Sequence, residues 1–134
     1  MIPFAVKKFF FYAYKRGMMK LFGCIFCQMA AHERPAEILY EDEHCVVFPD
    51  IHPQAPVHLL VIPRRHIGSL NDLVEADRNL IGHMMTVVGL MARRQGIDRT
   101  GYRTVINTNA EAGQTVFHLH IHVLGGRILK WPPG

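Results

Sequence analysis

Nine consecutive residues constrain this chain more than any other stretch: Val116-Phe117-His118-Leu119-His120-Ile121-His122-Val123-Leu124. Apolar residues alternate with histidines, and successive side chains of an extended segment point to opposite faces. The pattern predicts a strand over residues 116–124 that buries Phe117, Leu119, Ile121 and Val123 on one side. His118, His120 and His122 then project from the other side, each roughly 6.7 Å from the next along the backbone. Three co-facing imidazoles fit polar sheet surface, a His-x-His metal site or nucleophilic catalysis. For the last, a neutral imidazole held in one tautomer offers a lone pair near pH 7. Attack by that nitrogen splits one difficult transfer into two easier ones. Gly113-Gln114-Thr115, just upstream, adds a glycine turn and amide and hydroxyl donors suited to an oxyanion.

The remaining elements follow from periodicity and punctuation. Residues 24–33 read as a short helix ended by Arg34-Pro35. Residues 38–41 and 44–48 read as strands around the turn Asp42-Glu43. Three prolines make 49–56 a loop, because proline lacks the N–H that a ladder needs. Residues 57–62 form a third strand stopped by Pro63. Leu73, Leu80, Ile81, Met84, Val87, Val88 and Met91 recur at helical spacing, so a long helix is expected from an N-cap at Ser69 or Asn71. It ends at Arg93-Arg94 with Gly96 beyond. Residues 102–107 give a fourth strand and 116–124 the fifth. Five short strands and one long helix make an α+β domain with a largely antiparallel sheet.

Length and charge narrow the function classes. With 134 residues there is room for one core. Residues 1–22 hold five basic residues and no acidic one, whereas the rest carries ten basic against eleven acidic, although the whole chain is +4. The body is therefore close to neutral, and specific nucleic-acid binding is not expected. The basic aromatic head, residues 1–22, reads as a mis-assigned start, a targeting or membrane-surface peptide, or an added helix, and membrane contact is expected only there. Residues 23–134 form the domain. Three cysteines and no persuasive export signal point to a reducing compartment. The cytoplasm is expected, or an organelle if the head is a targeting segment. Cys45 reads as a small buried residue. Cys24-x-x-Cys27 has the spacing of both zinc sites and redox dithiols.

The strings GQTVFHLHIHVLGGR, FPDIHPQAPVHLLVIPRRHI and GYRTVINTN and the terminal WPPG, taken in order, resemble the histidine triad superfamily. The likeness runs from about residue 22 to the end and is strongest to the branch of purine nucleoside phosphoramidases. That resemblance implies a homodimer whose sheets join into ten strands. It also implies hydrolysis of purine nucleoside 5′-phosphoramidates through a nucleotidyl-histidine. By the same likeness His120 is the nucleophile, with His118, His122 and His58 around it. Gly113, Gln114, Thr115 and Asn107 serve the phosphate, and Asp50 the ribose. Phe26, Phe48, Ile51 and Leu60 wall the purine, and Trp131 extends toward the partner subunit. Bacterial members with Cys-x-x-Cys use it for zinc, which implies a structural site of Cys24, Cys27, His58 and His118. Two neighbouring readings stay open: a dinucleoside polyphosphate hydrolase, and a nucleotide-binding scaffold with vestigial activity.

Overall fold

The computed structural model describes residues 12–15 and 18–134, with side chains from residue 21 onward. Strands β1 (Tyr12–Lys15) and β2 (Met18–Leu21) pair antiparallel as a separate two-stranded sheet. Over these residues the head forms paired strands rather than the added helix that is one reading of its sequence, and residues 1–11, 16 and 17 lie outside the described residues.

The main sheet contains β3 (Tyr40–Glu41), β4 (Cys45–Pro49), β5 (Val57–Pro63), β6 (Tyr102–Val105) and β7 (Ile121–Gly125). Their spatial order is β3-β4-β5-β7-β6, and every neighbouring pair is antiparallel. Helices α1 (Ile25–Ala30) and α2 (Arg78–Arg94) complete the expected α+β architecture.

The period-two rule sorts the sheet into two faces. Val47, Leu59, Val61, Ile121 and Val123 pack with Met84, Val87, Val88, Met91 and Ala92 of α2. On the opposite face Val46, Phe48, Leu60 and Ile62 pack with Phe26 and Ala30 of α1. That second face carries the histidines. Cys45 is fully buried in the first cluster, as its sequence context suggests.

Several boundaries differ from the sequence expectation, each for a local reason. Helix α1 stops at Ala30 rather than residue 33, because His32 turns left-handed (φ 57°). Glu33 N–H then donates to the Gln28 carbonyl, a Schellman-type closure. The long helix starts at Arg78 rather than after Ser69 or Asn71. Ser69 instead caps a 3-10 turn at Leu70–Asp72, and a second such turn covers Glu75–Asp77. Asp72 and Asp77 spend their carboxylates on the backbone amides of Ser69 and Val74, closing two short turns in place of one helix. At the other end Gly96 supplies the left-handed residue (φ 71°) after α2, as anticipated. The fourth strand ends at Val105 rather than at residue 107.

The fifth strand is shorter than expected. It begins at Ile121, so His118 and His120 precede the ladder. The neighbouring β5 ends at Pro63, and Leu119 N–H donates instead to the Ile67 carbonyl at 2.6 Å. Phe117, expected to be buried with Leu119, Ile121 and Val123, is 54% exposed because no sheet partner reaches it.

Candidate active site and metal centre

The three histidines stay on one side of the chain despite the late start of β7. The Phe26 ring meets His118 edge-on at 5.9 Å and His120 at 5.3 Å between centroids, and the His120 and His122 rings lie 4.9 Å apart. They divide between two sites, however. His120 and His122 line a cavity of about 570 Å³, whereas His118 does not and is fully buried. That volume lies within the range of small-molecule sites.

The cavity gathers most of the residues expected to bind substrate. Asp50, Ile51, Phe26, Phe48 and Leu60 line it, as do His58, Asn107, Gly113 and Thr115. Gly113 adopts a left-handed conformation (φ 81°) that favours glycine, which bends the chain toward Thr115. Ile25, Met29, Arg34, His52 and Gln54 also contribute walls that sequence reasoning missed. The helical spacing of Ile25, Phe26 and Met29 carried that signal for α1.

Two expected binding residues stand elsewhere. Gln114 is buried with its amide already committed: Oε1 accepts from Asn109 N–H at 2.9 Å, and Nε2 donates to the Gly68 and Val116 carbonyls. It braces the loop instead of facing the cavity. Trp131, expected to extend toward the site of a partner subunit, is 81% exposed on the C-terminal tail and does not line this chain's own cavity.

Hydrogen bonds, two of them to backbone groups, fix the tautomer of each ring. A carbonyl oxygen only accepts, so His120 Nδ1–H donates to the His118 carbonyl at 2.7 Å. The neutral ring therefore keeps its lone pair on Nε2. Gln54 N–H donates to His58 Nδ1 at 3.0 Å, which places the His58 proton on Nε2. His58 Nε2–H in turn donates to His122 Nδ1 at 2.9 Å, leaving neutral His122 with its proton on Nε2. Asp50 Oδ2 lies 3.4 Å from the same His58 nitrogen, while Oδ1 accepts from His52 N–H. Burial holds His58 and His120 below the usual imidazole range. Burial, then the neighbouring His120 and His58, lowers His122 to about 4. Near pH 7 the cavity thus presents neutral rings with complementary protons.

His118 belongs to the second site. Its Nε2–H donates to the Pro63 carbonyl at 2.7 Å, so Nδ1 carries the lone pair. That nitrogen lies 3.4 Å from both Cys24 Sγ and Cys27 Sγ, and His66 Nδ1 lies 3.3 Å from Cys27 Sγ. The four donor atoms all lie within 4.8 Å of one another. Zinc–sulfur bonds of about 2.3 Å and zinc–nitrogen bonds of about 2.0 Å at tetrahedral angles require sulfur–nitrogen edges of roughly 3.5 Å. The donor set and the carbonyl behind His118 fit that ion. Cys24, at the N-cap of α1, is held well below the usual thiol range, chiefly by its hydrogen bond with Cys27 and despite its burial.

The expected ligand His58 is corrected to His66, and the sheet register explains why. His58 pairs with Leu124 and Val61 with Ile121, so the two strands run in opposite directions. His58 therefore lies opposite Leu124, six residues beyond His118 and at the far end of the ladder from it. The chain that meets His118 is the segment just after Pro63. His66 offered a signal in Pro63-Arg64-Arg65-His66, but only the register gives it meaning.

Fold and site together define an α+β domain of the histidine triad type, with paired rings over a cavity of small-molecule size. A family model described as scavenger mRNA decapping enzyme C-term binding matches residues 23–128. An uncharacterized HIT-like protein of Synechococcus elongatus is 51% identical over 110 residues, which is 82% of this chain and 96% of the relative. The crystal structure of a HIT family hydrolase from Legionella pneumophila is 44% identical, with a TM-score of 0.82, over 84% of this chain and 100% of that one. A zinc-bound histidine triad family protein from Mycobacterium smegmatis is 34% identical, with a TM-score of 0.68, over 78% of this chain and 76% of that one. The chain belongs to the histidine triad family. No helix among its described residues is long and apolar enough to cross a membrane.

Proposed function

We propose that this protein is a hydrolase that cleaves purine nucleoside 5′-phosphoramidates to a nucleoside monophosphate and an amine. The observation that carries this reading is the 2.7 Å hydrogen bond from His120 Nδ1–H to the His118 carbonyl, in a ring that lines the cavity. It leaves Nε2 as an oriented nucleophile. Phe26, Phe48, Leu60 and Ile51 would hold the purine and Asp50 the ribose hydroxyls. Gly113, Thr115 and Asn107 would meet the phosphate.

In the first step His120 Nε2 forms a bond to phosphorus as the P–N bond breaks, and the departing amine takes a proton from solvent while neutral His122 keeps its Nε2–H as a hydrogen-bond donor to a phosphoryl oxygen. The His118 carbonyl steadies the positive charge that the nucleotidylated ring acquires, a stabilisation built in before the reaction. In the second step water attacks phosphorus and releases its proton to solvent as the bond to His120 Nε2 breaks, and His120 leaves as neutral imidazole. His58 keeps His122 in the tautomer that both steps need.

Cys24, Cys27, His66 and His118 would hold a structural zinc ion. When bound, it neutralises two thiolates and ties α1 to the segment carrying His120. The family resemblance and the open edge of β6 support a homodimer with a continuous sheet, toward which Trp131 would extend.

His120→Ala is expected to lower turnover of adenosine 5′-phosphoramidate by more than roughly 10³-fold. It should also abolish the nucleotidylated protein seen by mass spectrometry after an acid-free quench. Wild-type protein that binds the nucleotide yet forms no adduct would favour a scaffold. Faster cleavage of diadenosine triphosphate than of the phosphoramidate would favour the polyphosphate hydrolase.

A further inference from the structure

Arg34 occupies a telling place on the cavity wall. It is the only arginine or lysine among the described residues that line the cavity. Together with Met29 and Pro35 it also borders an adjoining cavity of about 310 Å³, which is otherwise formed by His32, Glu33, Ala36 and Ile38. Neither His120, His122 nor Asp50 reaches that second cavity. Arg34 therefore stands on the flank of the apolar slot away from the catalytic rings. Its guanidinium has no hydrogen-bond or ion-pair partner among the described residues, so its donors are uncommitted.

A base held between Phe26, Phe48 and Leu60 exposes only its edge to discrimination. A guanidinium is a planar fork of donors with no acceptor. The N7/O6 edge of guanine presents two acceptors, which a fork can meet bidentately. The same edge of adenine presents N7 as acceptor but a donating amino group beside it, which opposes a second N–H. Hypoxanthine keeps both acceptors and lacks only the 2-amino group.

We propose that Arg34 is a specificity-determining residue that reads the N7/O6 edge and makes 6-oxopurine nucleotides the preferred ligands. This inference rests on the reading that the cavity holds a purine nucleotide. Because Arg34 is exposed, the preference belongs at the low end for a bidentate contact, about 5- to 10-fold for guanine over adenine.

The test measures dissociation constants of GMP, IMP and AMP by calorimetry, alongside kcat/KM for guanosine and adenosine 5′-phosphoramidates. Wild-type protein, Arg34→Leu and Arg34→Lys are compared. The expected result is that wild type binds GMP and IMP about equally and both more tightly than AMP. The GMP-to-AMP ratio should collapse toward unity in Arg34→Leu, and Arg34→Lys should keep only part of it. Equal wild-type affinity for GMP and AMP, or a preference that survives Arg34→Leu, overturns the assignment. Weaker binding of IMP than GMP by the full preference also overturns it, since that would place recognition at the 2-amino group. If the Arg34-dependent preference appears in binding without turnover, the base assignment stands and the phosphoramidase reading falls. If no purine nucleotide binds, both fall.

Discussion

His58 and His66 were interchangeable as strings of letters, and geometry separates them by function. His58 accepts a hydrogen bond from the Gln54 amide on Nδ1 and donates one from Nε2 to His122, so it belongs to the hydrogen-bond chain of the cavity. His66 faces Cys27 at 3.3 Å and belongs to the metal centre. Substituting each tests that division. In protein purified with zinc, His66→Ala should lose most of the metal measured by atomic emission, while His58→Ala retains a full equivalent. His58→Ala should instead lower kcat by about 10- to 100-fold, because His122 no longer has its proton fixed on Nε2. Zinc retained in His66→Ala and lost in His58→Ala would restore the ligand set drawn from the resemblance. His122 and His120 themselves were legible as a pair, since two residues of separation keep them on one face whether or not the ladder includes both. The role of His118 was not: its full burial depends on α1 and on the segment after β5, neither of which is nearby in sequence.

At the level of elements, the β3–β4 hairpin and α2 are joined through Asp42. Its Oδ1 accepts from the His44 and Cys45 amides, and its Oδ2 accepts from Tyr40 Oη at 2.8 Å and His83 Nε2 of α2 at 2.6 Å. Burial opposes ionisation there, but these donors win and hold the carboxyl below its usual 3.8. Burial, and then the Asp42 carboxylate itself, push the Cys45 thiol up to about 12. Asp42→Ala strands several donors at once and should cost about 2–3 kcal/mol in urea unfolding. The sign of the acid dependence follows from the lowered value. Asp42 contributes its full stabilisation above pH 3.8, and the contribution is lost as pH falls from there toward the lower folded value. Wild type should therefore lose stability more steeply than Asp42→Ala over that interval. Equal slopes would mean that the carboxylate does little for the fold. Asp42-Glu43 was readable as a turn because short acidic residues cap their own amides. Its grip on α2 was not, because it depends on how the helix crosses the sheet. The same limit applies to the start of α2, where apolar spacing suggested one continuous helix and two side-chain caps divided it.

Across the whole molecule the sheet acts as a partition, with α2 stabilising one face and chemistry placed on the other. The apolar periods of β4, β5 and α2 declare the first face openly, which is why the α+β class was legible from residue pattern alone. The second face has few local signals, since α1 is only six residues long and too short to be stable by itself. Its position depends on being tied down, and Cys24 and Cys27 lie at its N-terminal end. A metal bound by Cys24, Cys27, His66 and His118 would join three segments separated by up to 94 residues, the spacing of Cys24 and His118. It would stabilise the folded state by mass action, because an unfolded chain does not hold the four donors together. Removal of zinc with a strong chelator should therefore lower Tm by about 5–15 °C in calorimetry, a shift corresponding to several kcal/mol for a domain of this size. Restoring one equivalent of zinc should reverse it. Catalysis should fall in parallel, because the carbonyl that orients His120 belongs to His118 itself. A Tm unchanged by chelation, in protein shown beforehand to contain zinc, would separate the metal from the fold. Loss of activity without loss of Tm would instead place the metal's effect on the His118–His120 segment alone, leaving the anchoring of α1 to the contacts of Phe26 and Ala30 with the sheet.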